Sequence, residues 1–205
     1  MRQEMKIPVI TILLLAVNVC VYAYVEFMGS SYDTAFMLDM GASYEPYIIE
    51  NHEYYRLVTH FFLHYGFDHL FNNMVSLLIL GYSLESILGK GRYAVIYFLS
   101  GILAGISSVV YTWLLVSPEE AAVSCGASGA VYGLMGALLV LLIKGGKGQD
   151  RTQIPRYILF LGLSLYSGIQ DTSIDNAAHV GGFLAGFVIC LIMCRKKRME
   201  VNYES

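Results

Sequence analysis

A handful of residues able to take part in acyl chemistry sit inside otherwise apolar runs: Ser128, His179 and Asn73, with His69 one helical turn before Asn73. A serine hydroxyl is a poor nucleophile until a neighbouring base takes its proton, and an imidazole within hydrogen-bond reach is well suited to that task. An amide carries no charge and is no base near neutral pH, so the useful chemistry of Asn73 is to donate a hydrogen bond to a developing oxyanion. Each residue also has a structural alternative. A helical serine can bond its own i−4 carbonyl, His179 could be an interfacial histidine, and Asn73 could join two helices. His60 and His64 stand four residues apart, a spacing open to metal binding. No H-E-x-x-H occurs, however, and packing and hydrogen bonding of a loop suits them better. Glu85 is expected to pair with a basic residue such as Arg92, and Asp175 to be an exposed loop charge.

The surroundings of these residues are set by composition. The chain has 205 residues, 56% of them in AVILMFWYC and 14% charged, against roughly 25% charged in a soluble domain. Mean hydropathy is +0.56. Such a chain cannot cover its surface with polar groups and must be solvated by lipid. High apolar content and only 4 prolines exclude intrinsic disorder. A net charge of −3 and a pI near 5.9 disfavour nucleic acid as a partner. Cys20, Cys125, Cys190 and Cys194 form no C-x-x-C and read as buried free thiols.

A helix needs about 20 mostly apolar residues to cross a ~30 Å hydrocarbon core. Six stretches qualify, at about 7–28, 69–88, 93–116, 126–143, 154–170 and 177–194. The expectation is a single all-α, polytopic membrane domain over 1–205. Of the 13 Lys and Arg residues, 12 fall in alternate loops and the termini of this six-span arrangement, hence on one face, and only Arg56 lies in an opposite loop. Basic loops face the cytoplasm, so both termini are expected there, in a bacterial cell membrane. Residues 29–68 form a long outer loop rich in tyrosine, expected to be structured and partly embedded. Residues 144–153 read as a cytoplasmic linker.

Depth follows from counting. Asn73 lies 17 residues before Lys90, Ser128 lies 16 before Lys144, and His179 lies 16 before Arg195. At 1.5 Å per residue all three sit roughly 24–26 Å above the inner boundary, a few Å below the outer surface. Ser128 is followed by Gly129, Gly133 and Gly136, and His179 by Gly182 and Gly186. Small residues at this spacing let helices approach closely in lipid, which makes a contact between Ser128 Oγ and the His179 imidazole plausible.

These residues resemble the rhomboid family of intramembrane serine proteases. Gly126-Ala127-Ser128-Gly129 is similar to the family's G-x-S-G nucleophile motif, and Ala178-His179 with Gly182 to its A-H-x-x-G base motif. His69-x-x-x-Asn73, preceded by His60 and His64, resembles its second-helix motif. Tyr55-Arg56 departs from the Trp-Arg of many members. The resemblance implies that Ser128 is the nucleophile and His179 the general base, then general acid. It implies that His69 and Asn73, with the Ser128 backbone N–H, form the oxyanion hole. It also implies that Tyr132 supports the base by ring packing. Implied partners are the lipid bilayer and transmembrane protein substrates, entering laterally near spans 2 and 5. No cofactor or metal is expected. Two other classes use the same polar cluster differently: a transporter as a substrate or proton path, a chaperone-like binding protein as a cavity without chemistry.

Overall fold

The computed structural model describes residues 7–117, 120–145, 154–170 and 174–194. Six long helices dominate: α1 (Val9–Met28), α5 (Gly66–Leu88), α6 (Lys90–Leu115), α7 (Ser128–Lys144), α8 (Ile154–Gln170) and α9 (Asn176–Met193). Three short helices, α2 (Thr34–Asp39), α3 (Glu45–Ile49) and α4 (Arg56–Thr59), and a 3-10 turn at His60–Phe62 fold the loop between α1 and α5. Among the described residues there is no strand, only an isolated antiparallel bridge between Ser43 and Ser124. α1, α5, α6 and α9 are long and apolar enough to cross a membrane, and α7 is a shorter apolar helix. Leu13, Ile79, Leu114 and Ile192 are exposed on their outer faces, where only lipid gives them an apolar solvent. The six stretches expected from the sequence all fold as helices, with ends shifted by up to three residues. Most of the 144–153 linker and the basic tail lie outside the described residues.

Three helices meet where side chains vanish. On α9, a Cβ added to Gly182 would fall on the Gly129 carbonyl of α7, and one on Gly186 on the Gly133 carbonyl. Gly129 and Gly133 in turn face Ala104 and Ser100 of α6. Direct backbone contact is the main source of association in lipid, because apolar side chains gain little by leaving acyl chains for one another. A layer of Leu77, Leu84, Tyr93, Ile96, Tyr97, Ala130 and Leu134 joins α5, α6 and α7.

The α1–α5 contact differs from the sequence expectation. Glu85 does not pair with Arg92. Its carboxylate accepts hydrogen bonds from the Ile10 and Thr11 backbone N–H groups and from Thr11 Oγ1, at 2.9–3.0 Å. The physical reason is the start of α1. Its N-cap, Pro8, offers no side-chain acceptor, and the first-turn N–H groups have no partner within the helix. A carboxylate at that positive helix end satisfies them and the dipole together.

The loop between α1 and α5 is folded around Arg56, the one basic residue that departs from the charge pattern. Its side chain is buried, with Nη1 donating to the Leu38 and Ala42 carbonyls at 2.6 and 2.8 Å and Nε donating to Glu53 at 2.7 Å. The guanidinium lies over the Tyr47 and Tyr55 rings, 5.0 and 5.2 Å from their centroids. Tyr55, at the position where the resemblance implies tryptophan, supplies one of these aromatic faces.

Gly186→Ala should lower the thermal unfolding midpoint in detergent, because overpacking a tight contact costs ~1–3 kcal/mol. Gly91→Ala, at a helical position with nothing within 4 Å of its Cβ, is the matched control and should leave the midpoint unchanged or raised. Equal midpoints for the two variants would contradict the packing account.

Candidate active site

The segment leading to Ser128 is held from outside before it becomes a helix. Ser124 and Ser43 exchange two backbone hydrogen bonds of 2.9 Å. The Gly126 N–H then donates to the His60 carbonyl at 3.0 Å, and the Ala127 N–H donates to His64 Nε2 at 3.3 Å. Gly126 has φ +136°, and a Cβ there would meet the His69 ring at 2.7 Å. Only glycine fits both demands. α7 opens immediately afterwards with Ser128 as its first residue. The Ser128 N–H therefore lies among the amides that have no acceptor within the helix.

His60 and His64 are buried, outside the spans, and burial pushes them down to about 4 and about 3. Both are neutral at ordinary pH, which leaves His64 Nε2 able to accept the Ala127 N–H. Their place is thus hydrogen bonding and packing of the outer loop, and that loop in turn fixes the approach to Ser128.

The two expected partners meet. His179 Nε2 and Ser128 Oγ are 2.9 Å apart. The His179 ring stacks on Tyr132, with centroids 4.2 Å apart and planes 12° from parallel. His179 Nδ1 is buried with no hydrogen-bond partner among the described residues. With Nε2 accepting from the serine hydroxyl, the ring proton belongs on Nδ1. Ser128 reaches His179 rather than its own helix backbone, because Gly129 and Gly182 bring α7 and α9 into contact beside them.

His69 lies against Gly126 and also packs edge-on to His64, with centroids 5.2 Å apart. Asn73 is buried, and its Nδ2 donates to the His69 carbonyl at 3.0 Å. An amide nitrogen has two N–H donors, so one remains after this helical bond. No group of three or more His, Cys, Asp or Glu is gathered in a metal-binding arrangement among the described residues.

Asp175 departs from its expectation. It is not an exposed loop charge but a half-buried N-cap of α9, with Oδ1 accepting from the Ala178 N–H at 2.9 Å. Its Oδ2 accepts from Ser124 Oγ at 2.8 Å and from Ser108 Oγ. The sequence signal was its place just before an apolar helix, where Asp is a favoured cap; the two serines have no local signal at all.

A membrane bundle with a serine–histidine pair at the N-terminal ends of two touching helices is the class this geometry defines. A profile of the Rhomboid domain matches residues 51–196. Rhomboid protease GluP of Bacillus subtilis (strain 168) is 34% identical over 180 residues, covering 88% of this chain and 34% of that protein. RHOMBOID-like protein 5 of Arabidopsis thaliana is 37% identical over 151 residues, covering 73% of this chain and 47% of its own length. Inactive RHOMBOID-like protein 8, also from Arabidopsis thaliana, is 37% identical over 139 residues, 67% of this chain and 38% of that protein. The chain belongs to the rhomboid family and is an integral, multi-pass membrane protein. It spans between about a third and a half of the length of these relatives.

The buried histidines give the fold a pH dependence with a definite sign. Unfolded histidines take up protons near pH ~6.5, whereas folded His60 and His64 do so only near 4 and 3. Their contribution is present above ~6.5 and is lost as pH falls towards the folded values. Thermal midpoints in detergent should therefore decline from about pH 6.5 to about pH 4.5, more weakly in a His64→Gln variant, which keeps an acceptor but cannot titrate. A decline of the same size in both proteins would contradict a neutral, buried His64.

Proposed function

We propose that this protein is a serine-type endopeptidase that cleaves transmembrane or membrane-proximal segments of other membrane proteins. The observation that carries the reading is the 2.9 Å contact between His179 Nε2 and Ser128 Oγ. Family membership alone would not carry it, since one relative at 37% identity is named inactive. Here both the nucleophile and base positions are occupied and paired.

In this reading Ser128 Oγ attacks the scissile carbonyl and its proton passes to His179 Nε2. The carbonyl oxygen becomes an oxyanion, met by the Ser128 backbone N–H, the Asn73 amide and the His69 imidazole. His179 then gives its proton to the leaving amine, and the C–N bond breaks to leave an acyl-serine. Water, deprotonated by His179, hydrolyses that ester and frees Ser128. Tyr132 holds the imidazole by its ring, in the role a carboxylate takes in a triad.

The short span of α7 supports a site within the membrane. Its 17 residues extend about 25 Å, less than the ~30 Å hydrocarbon core. With Lys144 at the inner surface, Ser128 lies a few Å below the outer one. Water must reach it through a cavity open to that face. The alternation of the basic residues along the sequence supports cytoplasmic termini, in this reading in a bacterial cell membrane, with substrates entering sideways near α5 and α8. Phe67, Phe71 and Val75 of α5 are exposed, which suits contact with a substrate helix.

Ser128→Ala and His179→Ala should each abolish cleavage of a transmembrane reporter in liposomes, and the double variant should be little worse, because the pair acts as a unit. Asn73→Ala and His69→Ala should lower turnover by less than the ~10²–10³ typical of losing one oxyanion donor, since other donors remain. Clear proteolysis by purified Ser128→Ala would remove Ser128 as the nucleophile. Unchanged turnover in both donor variants and their double would remove the oxyanion assignment.

A further inference from the structure

We propose that Asp175 is a positioning residue whose carboxylate holds the helix bearing His179 in register with the segment bearing Ser128. The inference rests on the protease reading above. His179 sits in the first turn of α9, three residues after Asn176. Its imidazole has no partner on Nδ1 among the described residues, so no side-chain acceptor there steers it. The ring stack on Tyr132 fixes its plane. Where Nε2 falls along that plane depends on where the backbone of the first turn is anchored.

Asp175 is that anchor. Its own carbonyl accepts the His179 N–H at 3.1 Å, and its Oδ1 accepts the Ala178 N–H at 2.9 Å. Capping needs no more than this, and a serine or asparagine would serve. The second oxygen does something else. Oδ2 accepts from Ser124 Oγ at 2.8 Å and from Ser108 Oγ. Ser124 lies two residues before Gly126, in the extended stretch that delivers the nucleophile. Ser108 lies on α6, one turn beyond Ala104, whose Cβ packs against Gly129 and Gly182. One carboxylate thus ties together the base helix, the nucleophile segment and the helix packed against both. A hydrogen bond to an ionised acceptor is about twice as strong as a neutral one, and two hydroxyls on one oxygen fix its direction. The Ser128–His179 contact tolerates little drift, because hydrogen bonds weaken beyond ~3.2 Å and a 1 Å misplacement can lower a rate ~10²-fold.

The experiment compares four purified full-length proteins in detergent: wild type, Asp175→Ala, Ser108→Ala with Ser124→Ala, and all three substitutions together. Covalent labelling of Ser128 by a fluorophosphonate probe is timed, kcat and KM are measured on a transmembrane reporter, and thermal midpoints are recorded. Asp175→Ala should slow labelling and lower kcat by ~10- to 100-fold with KM within about twofold. The serine pair should move the same quantities in the same direction by less. The triple variant should be no slower than Asp175→Ala, since the groups share one interaction. Effects that multiply, or rates that fall only when KM rises or the protein is unfolded at assay temperature, would overturn the inference. Should Asp175→Ala not fold, the serine pair decides: unchanged labelling with both hydroxyls gone overturns it. Wild-type labelling with unaltered rates in every variant would overturn this inference alone. No labelling of the wild type at Ser128 would overturn the protease reading and this inference with it.

Discussion

The contact of two helix backbones, α7 against α9, is what the rest of the structure depends on. Glycine at 129 and 133 on one helix, and at 182 and 186 on the other, removes the side chains that would hold them apart. In lipid there is little gain from hiding apolar side chains, so association relies on close packing and hydrogen bonds. Closeness also decides the chemistry. A serine side chain is short, and it reaches an imidazole on another helix only when the backbones touch. The 2.9 Å contact of Ser128 with His179 is therefore a consequence of the glycine pattern as much as of the two polar residues.

A second layer of structure fixes what the glycines leave free. The outer loop uses Arg56 to gather α2 and α4, and the loop backbone to pair Ser43 with Ser124. The His60 carbonyl and His64 Nε2 then take the two N–H groups ahead of Ser128. His60, His64 and Ala127 are buried, and an unsatisfied buried N–H costs about 1–3 kcal/mol. The loop histidines meet that demand for the residues that turn into α7. At the opposite end of the bundle Glu85 does the same for the first turn of α1.

The parts of the fold with a periodic or compositional signature were legible from residues alone. Long uncharged runs gave the six helices, and glycine spacing pointed to the α7–α9 contact. Ser128, His179 and Asn73 stood out because polar side chains at one depth in apolar runs are rare. Tyr132 came from family resemblance, and its ring stacks on His179. What was not legible was the partner of each buried charge. Glu85 accepts from a helix 74 residues away in sequence, and Asp175 from serines 51 and 67 residues away. Such pairings depend on which helix ends lie side by side, and no local pattern encodes that. Arg56 broke the charge rule for the same reason: its charge is consumed inside the loop and never faces a membrane surface.

The central claim is that Ser128 is a nucleophile made reactive by His179 across that contact. The most direct measurement is to map the adduct of a fluorophosphonate probe by intact-protein and peptide mass spectrometry, in wild type and in His179→Ala. The account requires a single adduct, on the peptide carrying Ser128, in the wild type and essentially none in His179→Ala at the same exposure. An adduct on a different residue, or equal labelling of Ser128 without His179, would contradict it.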